Sequence, residues 1–252
     1  MSKLVIHPIP LMMLTRSIHE QVFRVGSYVG QIAIDTVYVW YIEGAKQKIV
    51  VDAGMTADML KNANVPGLSS GVVHIQTLEQ GLGKYGLTPA DIDLVIMTHL
   101  HIDHIPLAPK YINARFLVQQ KELEYHRNPP PPPVDPRPCP EVFLDTLKWE
   151  VVDGDYTVED GVSVMFTPGH TPGGQSIVVD TSAGAVVIDG LCTTDANWNV
   201  PESLSSRMDL LCPALHNDPM QAYESLTKMK KMGALILPNH EPRFSWIDKI
   251  PE

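Results

Sequence analysis

The stretch DIDLVIMTHLHIDHIP, residues 91–106, constrains this chain more than any other. An apolar run at 94–97 stops at a threonine and is followed at once by His99, His101, Asp103 and His104. Consecutive apolar positions point to a strand covered on both faces, since a half-exposed strand alternates with polar residues. Such a strand delivers its end to a loop. Extended geometry puts His99 and His101 on one side, and the loop turns Asp103 and His104 back toward the same space. Neutral imidazole nitrogens and a carboxylate oxygen suit zinc or a similar divalent ion. Four such donors within six residues are more than one mononuclear site comfortably uses, so a second ion fed by distant ligands is expected.

The same pattern, apolar strand and then a metal-capable residue, recurs downstream. TPGHTPGG at 167–174 puts His170 in a glycine–proline turn at a strand end. VVIDG ends an apolar run at Asp189, whose two oxygens suit a bridge between metals, and LILPNHEP does the same with His240. The expected division is His99, His101 and His170 for one ion and Asp103, His104 and His240 for the other, with Asp189 between. The remaining histidines, His7, His19, His74, His126 and His216, stand alone and read as surface or hydrogen-bonded groups. Asp52, closing KIVVDAG, is expected to fix the ligand loop by hydrogen bonds rather than to bind metal.

Around these motifs the chain reads as strands and short helices. TVYVWYIEG and QKIVVDAG form a hairpin, and ARFLVQQ is a further strand. WEVVDGDYTVEDGVSVMF opens a second half with short strands and D-G turns, and GGQSIVVDTSAGAVVIDG is another hairpin. Thr77 and Gln80 predict a capping box for a short helix. Asp218 and Pro219 begin the clearest helix, whose apolar positions recur at Met220, Tyr223, Leu226 and Met229. The two halves predict an α/β fold, an αββα sandwich of two mixed sheets flanked by helices, with the metals in the seam. At 252 residues, one large domain spanning 1–252 is the expected organisation. The proline-rich loop at 129–140 must be extended; it reads as either a stiff surface spacer or a wall beside the site.

The formal charge of −10, with Lys and Arg scattered, argues against nucleic acid as a partner. No run of eighteen apolar residues and no basic, apolar leader suggests a membrane partner or a signal peptide. Three cysteines far apart, Cys139, Cys192 and Cys212, fit a reducing, cytoplasmic compartment.

VVDAG, THLHIDH, TPGHTPGG, VVIDG and LPNHEP, in that order, resemble the metallo-β-lactamase fold superfamily. GLTPADIDLVIMTHLHIDH and the closing PMQAYESLTKMKKMGALILPNHEP look most like its N-acyl homoserine lactonase, or quorum-quenching, branch. The resemblance implies a dinuclear hydrolase that opens a lactone ring by attack of a metal-bridging hydroxide. It implies two divalent ions, Zn2+ first, with Mn2+, Co2+ or Fe2+ suiting the same ligands. Asp103 is then both ligand and the group that passes a proton to the leaving oxygen. A small lactone or ester is the implied partner, and family habit leaves room for a homodimer. One position departs from the branch: Cys192, in DGLCTT, stands where these lactonases usually carry a tyrosine. A thiol is a weak donor, so Tyr28, Tyr223 or Thr193 must take over or the substrate differs. The alternative is therefore a hydrolase of a different lactone or cyclic or aromatic ester, similar to a pyridoxolactonase, and after that a thioesterase.

Overall fold

The structure, a computed structural model, describes residues 4–22, 30–63, 71–131, 135 and 139–251. Two mixed sheets lie face to face with helices outside, the expected αββα sandwich. The first comprises β1 (Val5–Ser17), β2 (Ile32–Glu43), β3 (Ile49–Val51), β4 (Val73–His74), β5 (Leu94–Ile96), β6 (Arg115–Gln119) and β7 (Trp149–Val152), in the order β4-β1-β2-β3-β5-β6-β7. β1, β2 and β3 pair antiparallel, whereas β3, β5, β6 and β7 run parallel. The second holds β8 (Tyr156–Glu159), β9 (Val162–Phe166), β10 (Gln175–Thr181), β11 (Gly184–Ile188) and β12 (Leu235–Leu237), in the order β12-β11-β10-β9-β8.

Period-two geometry explains why the short central strands are apolar throughout. Ile49, Val51, Leu94, Ile96 and Leu117 turn inward and meet Val164, Ile177, Val186, Ile188 and Leu237 of the opposite sheet. Their neighbours Val50, Val95, Phe116 and Val118 turn outward to a second core under the helices. That outer cover includes α2 (Leu78–Gly83), α3 (Gln120–Arg127) and α4 (Glu141–Thr146), while α1 (Ala57–Ala63) packs Ala57 and Leu60 on Met12, Leu14 and Val37 of β1 and β2. Behind α5 (Asp195–Trp198) and α6 (Glu202–Ser205), α7 (Pro219–Lys231) lays Ala222, Leu226 and Met229 on Met165 and Val187 of the second sheet. The sequence's capping signals appear as read. Thr77 and Gln80 close a capping box on α2, and the Asp218 side chain accepts from Met220 N and Gln221 N.

Two local expectations change. WEVV, read as opening the second half, is β7 and extends the first sheet beside β6. The chain crosses to the other sheet only at the Asp153–Gly154 turn, where Gly154 exchanges hydrogen bonds with the Gln119 side chain in both directions, each 2.8 Å. The strand before the histidines ends at Ile96. His99 and His101 therefore sit in the loop beyond it, and the loop rather than the pleat brings them together. Among the described residues, no helix is long and apolar enough to cross a membrane.

Candidate metal centre

Four strand ends converge on one edge of the sandwich. β3 leads into Asp52, β5 into the HLHIDH loop, β11 into Asp189 and β12 into His240. Carboxyl ends of parallel strands at a crevice are where open α/β sheets place their ligands. The antiparallel β9 adds the turn carrying His170. That turn depends on two glycines. A Cβ on Gly169, at φ +132°, would lie 2.2 Å from the backbone of Ala222, and one on Gly173 would lie 2.1 Å from Glu122 N.

Six of the seven expected ligands form two groups. His99, His101 and His170 offer nitrogens within 4.8 Å of one another, and Asp103, His104 and His240 do the same with two nitrogens and a carboxylate oxygen. The split matches the one read from the motif.

The outer partners of the five imidazoles decide their tautomers, because a carbonyl or carboxylate can only accept. His170 Nδ1–H donates to Leu215 O (2.6 Å), His104 Nδ1–H to Asp52 (2.7 Å), His240 Nδ1–H to Thr36 O (3.2 Å) and His101 Nε2–H to Asp135 (2.8 Å). The Thr98 hydroxyl donates to Asp52, so at 3.0 Å it accepts from His99 Nδ1–H. Each ring thus turns its second nitrogen, an acceptor, toward the centre. His101 Nδ1 and His170 Nε2 approach to 3.0 Å, and His170 Nε2 and His99 Nε2 to 3.2 Å. Burial and the neighbouring imidazoles hold His99 well below its ordinary pKa, and burial brings His240 down to about 3 despite Asp103. His99 and His240 are therefore neutral. Lone pairs facing one another at such distances repel unless a cation lies between them. Outer groups that fix the tautomer and inner nitrogens that converge are the arrangement a divalent ion needs, so the donor set fits the metals the motif implies.

Asp189 lies outside both groups. It is fully buried; its Oδ1 accepts from Leu191 N (2.8 Å) and its Oδ2 from the Thr193 hydroxyl. Burial pushes its pKa up to about 7 although those hydrogen bonds pull the other way. A carboxylate so desolvated lacks a compensating positive charge. Asp52 has the anchoring place expected of it. From an unusual positive φ of 60° it takes Thr98 N, the Thr98 hydroxyl, His104 Nδ1–H and the Asn239 amide.

Three supporting groups escaped the sequence reading. Glu122 of α3, fully buried, accepts from Leu100 N (2.8 Å), Gly173 N (3.1 Å) and His126 Nε2–H (3.0 Å), so one carboxylate ties the HLHIDH loop to the His170 turn. Burial would raise its pKa, but His126 and those donors hold it below the ordinary value. Arg16 of β1 is buried against Asp35, whose two oxygens also accept from Gln21 (2.6 and 2.7 Å). Its charge acts on Asp103, Cys192 and His240. Asp135 is the third. Nothing in the motif spacing marks any of these, since each meets a partner distant in sequence.

Cys192 is buried beside Asp189 in the chain. Of the groups considered in its place, Thr193 is already committed to Asp189, and Tyr223 stands on α7 at 38% exposure. Tyr28 lies outside the described residues, as do 132–134 and 136–138 of the proline-rich loop.

The fold and centre together define a metallo-hydrolase of the αββα type. The family model of the metallo-beta-lactamase superfamily matches residues 33–238, and the chain belongs to that superfamily. It is 31% identical over 179 residues to an N-acyl homoserine lactonase of a Bacillus species, covering 67% of each chain. To the N-acyl homoserine lactonase of Bacillus thuringiensis it is 29% identical over 208 residues, 78% of this chain and 76% of the relative. A solved N-acyl homoserine lactone hydrolase, with the product N-hexanoyl-L-homoserine bound at its catalytic metal centre, superposes with a TM-score of 0.76 at 23% identity, covering 97% of this chain and 96% of that one. The chain is accordingly an ester-bond hydrolase of the lactonase branch, in a metal-dependent family.

Proposed function

We propose that residues 1–252 form one hydrolase domain that opens a lactone ring, with N-acyl homoserine lactone as the first substrate to test. The observation that carries this reading is the pair of ligand groups whose imidazoles, fixed from outside, direct their acceptor nitrogens to a shared centre. The lactonase relatives support the ring as substrate. In this reading His99, His101 and His170 hold one ion, Asp103, His104 and His240 the other, and Asp189 lies between them. Imidazole and carboxylate donors favour Zn2+, with Mn2+, Co2+ and Fe2+ as substitutes. When bound, such ions supply hydroxide at neutral pH and polarise the scissile carbonyl.

The chain's own residues do the rest. Asp52, Glu122 and the Thr36 carbonyl hold the ligand loops so that no reorganisation is needed on binding. Asp103 keeps a side chain 13% exposed, with Oδ2 3.6 Å from His104 and 3.8 Å from His240. It is the ligand-set carboxylate best placed to meet substrate, and it carries a proton to the ring oxygen as that oxygen leaves. A second reading, a different lactone or a cyclic or aromatic ester, is favoured by Cys192 in place of the usual tyrosine. Work at a reducing, cytoplasmic pH near neutral suits both readings.

A hydrolysis panel on metal-replete protein tests them. It compares short- and long-chain acyl homoserine lactones, an aromatic lactone, a simple ester and a thioester. Preference for the homoserine lactones by ten-fold or more is the expected result. Rates confined to the aromatic lactone select the second reading, and full activity in chelator-treated, metal-free protein overturns both.

A further inference from the structure

Asp135 comes from the most unusual segment of the sequence, PPPPPVDPRPCP at 129–140, yet its side chain is only 3% exposed. Two features settle its backbone. Pro136 follows it and restricts Asp135 to extended conformations, and its N–H donates to the Pro131 carbonyl at 3.3 Å. The carboxylate then points inward. Its Oδ2 accepts from His101 Nε2–H at 2.8 Å and from the Tyr125 hydroxyl at 2.9 Å. Burying a carboxylate is costly without charge-assisted partners, so this one is not a surface charge that happens to fall nearby.

The contacts continue past Asp135. The Tyr125 hydroxyl lies 3.1 Å from Asn217 Oδ1. Asn217 in turn donates through Nδ2 to the His170 carbonyl (3.0 Å) and through its backbone N–H to the Gly169 carbonyl (2.8 Å). The single Tyr125 hydroxyl proton is shared between Asp135 Oδ2 and Asn217 Oδ1, so a path of contacts runs His101–Asp135–Tyr125–Asn217–His170. It begins and ends on two members of the same ligand group, and its tie to the other group is main chain, His104 N donating to the His101 carbonyl at 3.0 Å. Burial and the charge of Asp135 raise the Tyr125 pKa, which keeps the phenol a donor.

We propose that Asp135 is a positioning residue for the His99–His101–His170 ion, acting through His101 and locking the Nδ1 face of that ring toward the centre. The inference rests on the reading that this group holds an ion. Its chemistry is local. A carboxylate accepting from the far nitrogen makes the imidazole a stronger donor and stops the ring from turning; loss of such outer partners typically weakens metal binding about 10–100-fold. Asp135 is then the described residue of that segment that meets the ligand group.

The test reads metal retention, not turnover alone. Parent, Asp135→Asn, Asp135→Glu and Tyr125→Phe are loaded with Zn2+ and titrated with a competing chelator, and metal per chain is measured; Co2+ loading gives an absorption spectrum for each. The parent should retain two equivalents. Asp135→Asn should release one of them at about ten-fold or more lower chelator concentration, with an altered Co2+ band, while the other equivalent is unmoved. Asp135→Glu should recover part of the difference, and Tyr125→Phe should show a smaller shift of the same equivalent. Unfolding midpoints of the metal-free proteins separate support of the fold from support of the metal. If Asp135→Asn lowers that midpoint yet releases both equivalents as the parent does, the proposal is wrong. If both equivalents weaken together, or if Asp135→Asn and Tyr125→Phe both match the parent, it is also wrong. A parent that retains no metal defeats the underlying ligand reading as well.

Discussion

The two ligand groups share an edge of the sandwich, but they are fastened by different means. Each draws residues from the HLHIDH loop and one residue from the second sheet, His170 in one case and His240 in the other. The Asp103 group leans on main chain. Ala53 N and Gly54 N donate to the His104 carbonyl, Thr36 N donates to the His240 carbonyl, and the Thr36 carbonyl orients the His240 ring. Asp52 is its chief side-chain support. The His99 group leans more on side chains, with Glu122 joining its two loops and Asp135 behind His101, although the Leu215 carbonyl still orients the His170 ring. It consists of three imidazoles, whereas the other includes a carboxylate. Main-chain fastening survives most substitutions. Side-chain fastening can be removed one residue at a time, so the His99 group is the easier of the two to loosen selectively.

The largest effects come from removing ligands. His101→Ala and His104→Ala should each lower turnover by about two orders of magnitude or more, because in the proposed reading each takes a donor from a two-ion centre. Metal analysis sharpens the comparison: each variant should lose one equivalent before the other, His101→Ala from the imidazole group and His104→Ala from the carboxylate group. Equal retention of two equivalents in both variants would remove the division into groups.

Next in size are the supports. Glu122→Ala leaves Leu100 N–H, Gly173 N–H and the His126 ring inside the protein without their acceptor. A loss of roughly 3–5 kcal/mol in unfolding free energy is expected, as for other broken buried charge networks. Asp52→Asn keeps an acceptor oxygen and leaves the main-chain ties of its group in place, so its cost should be smaller, roughly 1–2 kcal/mol. Urea unfolding of the metal-free proteins measures both. An Asp52→Asn loss equal to or greater than that of Glu122→Ala would show that the two groups are not fastened differently.

The sequence was legible where chemistry and position coincide. An apolar strand that runs into a histidine or aspartate announces its burial and marks a candidate donor, which is why His99, His101, Asp103, His104, His170 and His240 stood out in the sequence and lie together in the fold. The sheet layers were legible for the same reason: strands covered on both faces are apolar at every position. What remained hidden was pairing across distance. Glu122 sits in KELEYH and looks like any helical glutamate, and only the fold brings Leu100 and Gly173 to it. Arg16 and Asp35 lie on paired strands, but charges on neighbouring strands face solvent as often as each other. Asp135 was masked by its surroundings, because proline-rich sequence signals an extended path without saying what the path passes. The boundary between the halves was misplaced at WEVV because an apolar edge strand carries no mark of which sheet it will join.

A pH-dependent effect separates Asp189, the proposed bridge, from both groups. In the metal-free chain burial lifts the Asp189 pKa from the ordinary 3.8 to about 7. Between those values the folded protein holds a proton that the unfolded chain has released, so stability from this group is complete below about pH 4 and is lost as pH rises toward 7. His99 and His240 run the other way. Their pKa values fall on folding, so they cost stability as pH drops below about 6.5. Comparing parent with Asp189→Asn cancels the histidines, since both proteins carry them. The metal-free Asn variant should be the more stable by roughly 4 kcal/mol at pH 8, with the gap narrowing to roughly 2 kcal/mol at pH 5. Added divalent ion should reverse the order at pH 8, because only the parent carboxylate gains a cation. Urea midpoints measured across that range decide the matter. If the two metal-free proteins run parallel from pH 5 to 8, the carboxylate is already balanced by the protein. A bridge between two ions would then not be what its burial is for.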